Sequence, residues 1–123
     1  MPLEPTISLL QTPASWPNPQ PLEARATFPE NFPGFDGHFP GHPILPGFAQ
    51  IQLALDILHR AFPSLGILQE IPSAKFSRPI HPNEPITLTL QSTPSGLIHV
   101  TLTTAAQPAS TFDLLLSPPK TQP

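Results

Sequence analysis

An α+β fold, with one antiparallel sheet wrapped about a single helix, is predicted by three features of this 123-residue chain. An apolar stripe of helical period lies in the middle of the sequence. Several short segments of period-two alternation follow it, and one precedes it. A tight turn separates the two clearest of these segments, so neighbours along the chain should pair antiparallel, with one face on the helix.

Taken in order, residues 1–21 carry prolines at positions 2, 5, 13, 17, 19 and 21, and leave room for one short strand at most, near Ile7 to Leu10. LEARATF, from Leu22 to Phe28, alternates apolar and polar residues as a half-buried strand does, and ends at Pro29. Between Pro46 and Phe62 the residues Phe48, Ile51, Leu55, Leu58 and Phe62 recur three and four apart, while Leu53, Ala54 and Ile57 widen the apolar face. This predicts a mostly buried helix, stopped by Pro63 and followed by a turn through Ser64 to Gly66. Strands are then expected over Ile67–Arg78, Pro85–Gln91, Leu97–Thr104 and Ser110–Leu116, with TPSG forming the hairpin between the second and third of these. The expected organisation is a proline-rich N-terminal segment (1–21), one folded domain (22–116) and a flexible tail (117–123).

The stretch from Gly34 to Gln52, GFDGHFPGHPILPGFAQIQ, is what the rest supports: two histidines sit among four glycines and three prolines just ahead of the helix. Pro40, Pro43 and Pro46 remove backbone donors and push the residues before them out of the α region, so Asp36 to Leu45 should be a stiff, extended loop. Pro46 suits the first helical position, where its missing N–H costs nothing, and Gly47 lets another group approach the backbone closely. A histidine loop feeding a helix N-terminus is a candidate site.

Composition narrows the chemistry. The 21 prolines are many, but 38% hydrophobic residues and eight phenylalanines are too apolar for a wholly disordered chain. With a formal charge of −3 and only five lysines and arginines, the chain has no basic stripe to neutralise a phosphate backbone, so nucleic acid is not an expected partner. No apolar run approaches the ~20 residues that span a bilayer, and a secretion leader is not recognisable, which gives a cytoplasmic address as the expectation. The absence of cysteine excludes disulfides, thiolate metal ligands and a cysteine nucleophile. No Walker loop, dinucleotide fingerprint or G-x-S-x-G elbow is present.

The segment GHFPGHPILPGFAQ, together with IPSAKFSRPIHPNEPITLTL downstream, resembles the hotdog-fold dehydratases that act on 3-hydroxyacyl thioesters of acyl carrier protein. In that family an HFPxxPxxPG loop precedes the central helix and a KF-x-RP strand motif follows it, and the likeness here covers roughly Phe28 to Leu90. The PILPGFAQ wording is most similar to the shorter branch associated with aryl polyene and related lipid-like pathways. The resemblance implies a hotdog fold and a cofactor-free lyase without a metal. It also implies an obligate dimer, either a homodimer or a heterodimer with a second dehydratase-like chain.

Residue by residue, the resemblance makes His38 the base that removes the α-proton and Gly47 the helix-start residue whose N–H bonds the thioester carbonyl. A neutral imidazole, with an unperturbed pKa near 6.5, suits the first task, and a helix N-terminus suits the second. It further implies backbone strain, and a non-proline cis bond, at His38–Phe39. Pro46, Phe39 and Phe48 are expected to border the substrate, with Phe35 also lining the acyl tunnel. The departure is on the helix: where the family carries a Glu or Asp to protonate the leaving hydroxyl, this chain has Gln52, and Asp56 stands one turn on. Acid and amide can have changed places along one polar stripe, since i and i+4 share a helix face.

Plainer roles stand beside these. His38 could simply bond a backbone carbonyl, His42 is expected to face solvent or be structural, and His59, His81 and His99 are expected at a helix end and at surface positions. Asp36, His38 and His42 could be set as metal ligands, but the prolines deny them helical spacing, and no metal is expected. Gln52 could be a buried residue bonded within the core, and Asp56 a carboxylate facing solvent or Arg60. Lys75 and Arg78 could steer an acidic carrier protein or be ordinary edge charges. Three other functions compete with solo dehydration: a subunit completed by another chain's acid, a non-catalytic acyl-binding subunit, and a thioesterase in which Asp56 activates water.

Overall fold

The computed structural model describes residues 4–35 and 43–118. Its elements run β1 (Thr6–Gln11), β2 (Leu22–Thr27), a 3-10 turn (Pro33–Phe35), α1 (Gly47–Ala61), β3 (Leu68–Phe76), β4 (Ile86–Ser92), β5 (Ile98–Thr104) and β6 (Gln107–Leu116). The six strands form one antiparallel sheet in the order β1-β2-β4-β5-β6-β3, and α1 supplies the apolar face that covers it.

Alternation sets which side of each strand is inside. Leu22 pairs with Leu90, Leu90 with Val100, and Val100 with Phe112, so one row of apolar side chains crosses four strands. All four are essentially inaccessible, and burying a side chain of this size contributes about 1.5–3 kcal/mol. The alternate positions, among them Thr87, Thr89, Thr101 and Thr111, form the more polar outer face. From the helix, Ala49, Leu53, Ala54, Ile57 and Leu58 join the core. Its C-terminus is closed by the Phe62 N–H donating to the Leu58 carbonyl at 2.7 Å, and Pro63 prevents another turn.

Several expectations shift in detail. The strand allowed near Ile7 to Leu10 is β1, which extends the sheet beyond β2. Pro46 is the N-cap, with ψ 156°, and Gly47 is the first helical residue. The helix is buried along one side only: Phe48, Gln52, Asp56 and Arg60, each four residues from the last, form an exposed stripe. β6 begins at Gln107 rather than Ser110, because the chain reverses through Ala105 and Ala106, whose φ values are 49° and 64°. The TPSG turn forms as expected, with Gly96 at φ 85° and the Gly96 N–H donating to the Thr93 carbonyl.

Candidate active site

The two motifs that flank the helix meet at its N-terminus. The Leu45 N–H donates to the Ile80 carbonyl at 2.8 Å, and His81 Nδ1 lies 3.2 Å from the Pro43 carbonyl. These contacts tie PILPG to the segment that follows KFSRP. Phe76 lays its ring so close to Gly47 that a Cβ there would meet ring carbon at 2.9 Å. The glycine is thus explained by a close approach. Gly47 and Phe48 offer first-turn N–H groups that no described backbone carbonyl accepts, whereas those of Ala49 and Gln50 reach the Pro46 carbonyl at 3.1 and 3.3 Å. Ile44, Pro46, Gly47, Phe76 and Arg78 border a 380 Å³ hollow at this end of the helix. Arg78 is held there by a hydrogen bond from its guanidinium to Gln107 Oε1.

A larger groove of 480 Å³ runs along the exposed stripe of α1, walled by Phe28, Phe32, Leu53 and Ile71 and rimmed by Gln52 and Asp56. Gln52 Nε2 donates to Asp56 Oδ1 at 2.8 Å, so amide and carboxylate act as one unit at the edge of an otherwise apolar surface. Phe28 and Phe32 stack edge to face with centroids 4.7 Å apart, and Phe32 meets Phe35 in the same way at 5.8 Å, which stiffens this wall.

Of the residues expected at a site, Gly47, Pro46, Gln52, Asp56 and Phe48 lie on or beside these two hollows. Phe48 is 68% exposed and lines the groove, while Phe35 is buried in the core and is not among the residues of either wall. Gln52 is an exposed residue and not a core amide, and the partner of Asp56 is Gln52, not Arg60. His38, Phe39, Asp36 and His42, with the expected cis bond and the considered metal set, lie outside the described residues. Among the described residues no group of His, Asp and Glu is arranged to hold a metal.

The remaining histidines have local partners. His59 places Nδ1 at 3.0 Å from the Leu55 carbonyl and Nε2 at 2.8 Å from the Gly66 carbonyl, fastening the helix end to the turn before β3. His99 Nδ1 is 2.7 Å from Asp113 on the outer face, and Ser73 donates to the same carboxylate at 2.8 Å. Chiefly the His99 contact, and then that of Ser73, hold the Asp113 carboxyl below its ordinary range.

The residue the sequence reading passed over is Gln50. It is 3% exposed, its Nε2 donates to the Leu45 carbonyl at 3.2 Å, and its Oε1 accepts from Ser110 Oγ at 2.7 Å. The available signal was its phase: Gln50 shares the helix face of Leu53, Ala54 and Ile57, where a polar side chain must find partners inside.

A family model described as ApeI-like, ApeI dehydratase, matches residues 15–112. The chain belongs to this family. Among curated proteins it is similar to the 3-hydroxyacyl-[acyl-carrier-protein] dehydratase FabZ of Thermus thermophilus, 41% identical over 66 residues, which are 47% of this chain and 46% of the relative. The ApeI-like chain thus matches about half the length of that relative. Among solved structures it is similar to the dehydratase heterocomplex ApeI:P from Xenorhabdus doucetiae, with a TM-score of 0.70 at 24% identity over 83% of this chain and 91% of the other. A hypothetical thioesterase with coenzyme A from Streptococcus pneumoniae shares the fold at a TM-score of 0.65 and 10% identity, over 94% of this chain and 89% of that one. These structural likenesses establish the hotdog fold expected from the sequence, a six-stranded antiparallel sheet with one central helix. No described helix is long and apolar enough to cross a membrane.

Proposed function

We propose that the chain dehydrates a 3-hydroxyacyl thioester on acyl carrier protein to the trans-2-enoyl thioester, acting in the cytoplasm as one half of a dimer. The observation that carries this reading is the helix beginning at Gly47 beneath Phe76, which presents the bonded pair Gln52 and Asp56 to an apolar groove. Membership of the ApeI-like dehydratase family and the partial likeness to FabZ support the reaction type.

In this mechanism His38 takes the α-proton, and the negative charge moves onto the thioester oxygen. The Gly47 N–H, at the positive end of the helix dipole, donates to that oxygen as it becomes charged. The charge then moves back to form the Cα=Cβ double bond as the C–O bond at the β-carbon breaks, and the hydroxyl leaves as water with a proton from a carboxyl group, which regains a proton as His38 releases its own to solvent. Asp56 is assigned as that group, through its bond with Gln52 at the groove edge. The acyl chain lies against Phe48 and the wall behind it, where each buried methylene contributes about 0.8 kcal/mol. No metal or organic cofactor is required.

The dimer is supported by the apolar residues left uncovered near the edge strand β3. Phe48, Ile67, Ile71 and Phe76 are all exposed, at 68%, 72%, 36% and 47%. A second copy, or a related chain, would cover them and complete the groove.

A second reading is favoured by the likeness to one member of a dehydratase heterocomplex and by the amide at position 52. Here the acid comes from a different chain, and the chain alone is nearly inert. Assaying the purified chain alone, and then mixed with an acid-bearing homologue, separates the two: turnover alone supports Asp56, and turnover only on mixing supports the partner. A stable monomer with no turnover in either arm would reject both.

A further inference from the structure

We infer that Gln50 is a positioning residue for the helix-start N–H groups, acting from inside the core through the Leu45 carbonyl. The inference rests on the proposed use of Gly47 as a hydrogen-bond donor to the thioester. Leu45 is the last residue before the Pro46 cap, and its backbone is held from both sides. Its N–H donates to the Ile80 carbonyl at 2.8 Å, and its carbonyl accepts from Gln50 Nε2 at 3.2 Å. Its side chain is 1% exposed, so the residue cannot turn without disturbing the core.

The amide of Gln50 is itself oriented. Ser110, 1% exposed on β6, donates Oγ–H to Gln50 Oε1 at 2.7 Å, which fixes which end of the amide faces Leu45. A chain of two hydrogen bonds therefore runs from β6, through the helix, to the peptide that precedes the cap. Pro46 has no N–H and Gly47 has no side chain, so neither can supply its own side-chain restraint, and the capping residue makes no side-chain cap bond. Gln50 supplies the restraint from four residues further on. A donor aimed at a developing oxyanion has to be held in place before the reaction, and small misplacements cost rate more than affinity.

The test compares Gln50→Met, Ser110→Ala and the double variant with wild type by steady-state kinetics, amide hydrogen exchange at Ala49, whose N–H bonds the Pro46 carbonyl, and thermal melting. Expected are a fall in kcat of about tenfold or more with KM changed less than about twofold, and exchange at Ala49 faster by about tenfold. Ser110→Ala should show a smaller effect in the same sense that disappears in the Gln50→Met background, because Ser110 acts through Gln50. Lower melting temperature with unchanged kcat and unchanged Ala49 exchange would overturn the inference and leave Gln50 a core residue only. If wild type itself lacks dehydratase activity, the proposed function fails, while the exchange measurement still decides whether Gln50 holds the helix start. Should Gln50→Met not fold, Ser110→Ala decides alone: unchanged Ala49 exchange in that variant overturns the inference.

Discussion

Gln52 and Asp56 stand one helical turn apart with the amide donating to the carboxylate at 2.8 Å, on the exposed stripe of α1 at the groove edge. An amide cannot deliver a catalytic proton, but it can hold a carboxyl group that does. If Asp56 is the acid, Asp56→Asn should lower kcat by about 10²- to 10⁴-fold without unfolding the chain, the usual worth of general acid assistance. Gln52→Glu should raise turnover of the chain alone if the acid otherwise comes from a partner. Steady-state kinetics on both variants separates the cases, and silence of both in a folded chain would point to an acyl-binding subunit.

Phe48 is 68% exposed yet lines the groove, so Phe48→Ala should change stability by less than about 0.5 kcal/mol. Its effect should appear in substrate length instead. Affinity for long acyl chains should fall more than affinity for short ones, as measured by KM across a chain-length series. An effect equal at every length would remove Phe48 from the acyl wall.

The turn between β5 and β6 places two alanines at positive φ, a backbone region that L-residues with a Cβ rarely adopt. Replacing Ala105 with Asn and Ala106 with Gly should stabilise the fold by about 1 kcal/mol, read as a shift in the urea midpoint with an unchanged slope. Neither alanine lines either hollow, so kcat should not change.

The same turn shows where the sequence was least legible. TPSG announces a hairpin by its glycine, and that turn forms, but Ala105 and Ala106 carry no such mark, which hid the first residues of β6. Strand alternation in ITLTLQ and IHVTLTT placed the core faces of β4 and β5, because one buried side enforces period two. Helical periodicity located α1 but overstated its burial, since the apolar Phe48 faces the groove instead of the core. Gln52 and Asp56, which lie at the groove edge, could be singled out from the motif, whereas the packing of Gln50 depends on β6 bringing Ser110 beside it across 60 positions of sequence. Long-range contacts of that kind leave no local pattern.

On the outer face, Asp113 accepts from Ser73 and lies 2.7 Å from His99, with its pKa below the ordinary 3.8 chiefly through His99. A carboxylate whose folded pKa is depressed adds stability above the unfolded value, and this is lost as pH falls through the folded pKa. Asp113→Asn should therefore be less stable than wild type at neutral pH, with the gap closing below about pH 4. Chemical denaturation across that range checks it, and a gap independent of pH would contradict the assigned partners.

The proposed reaction has this chain, through His38, remove water from a carrier-bound 3-hydroxyacyl group. The most direct measurement is turnover of 3-hydroxyacyl carrier protein, followed by mass spectrometry of the acyl group, for wild type and His38→Ala side by side, each alone and with an acid-bearing homologue. The account predicts loss of one water with wild type in at least one of the two settings, and none above background with His38→Ala in either. Equal dehydration by both proteins, or none by wild type in either setting, would contradict it.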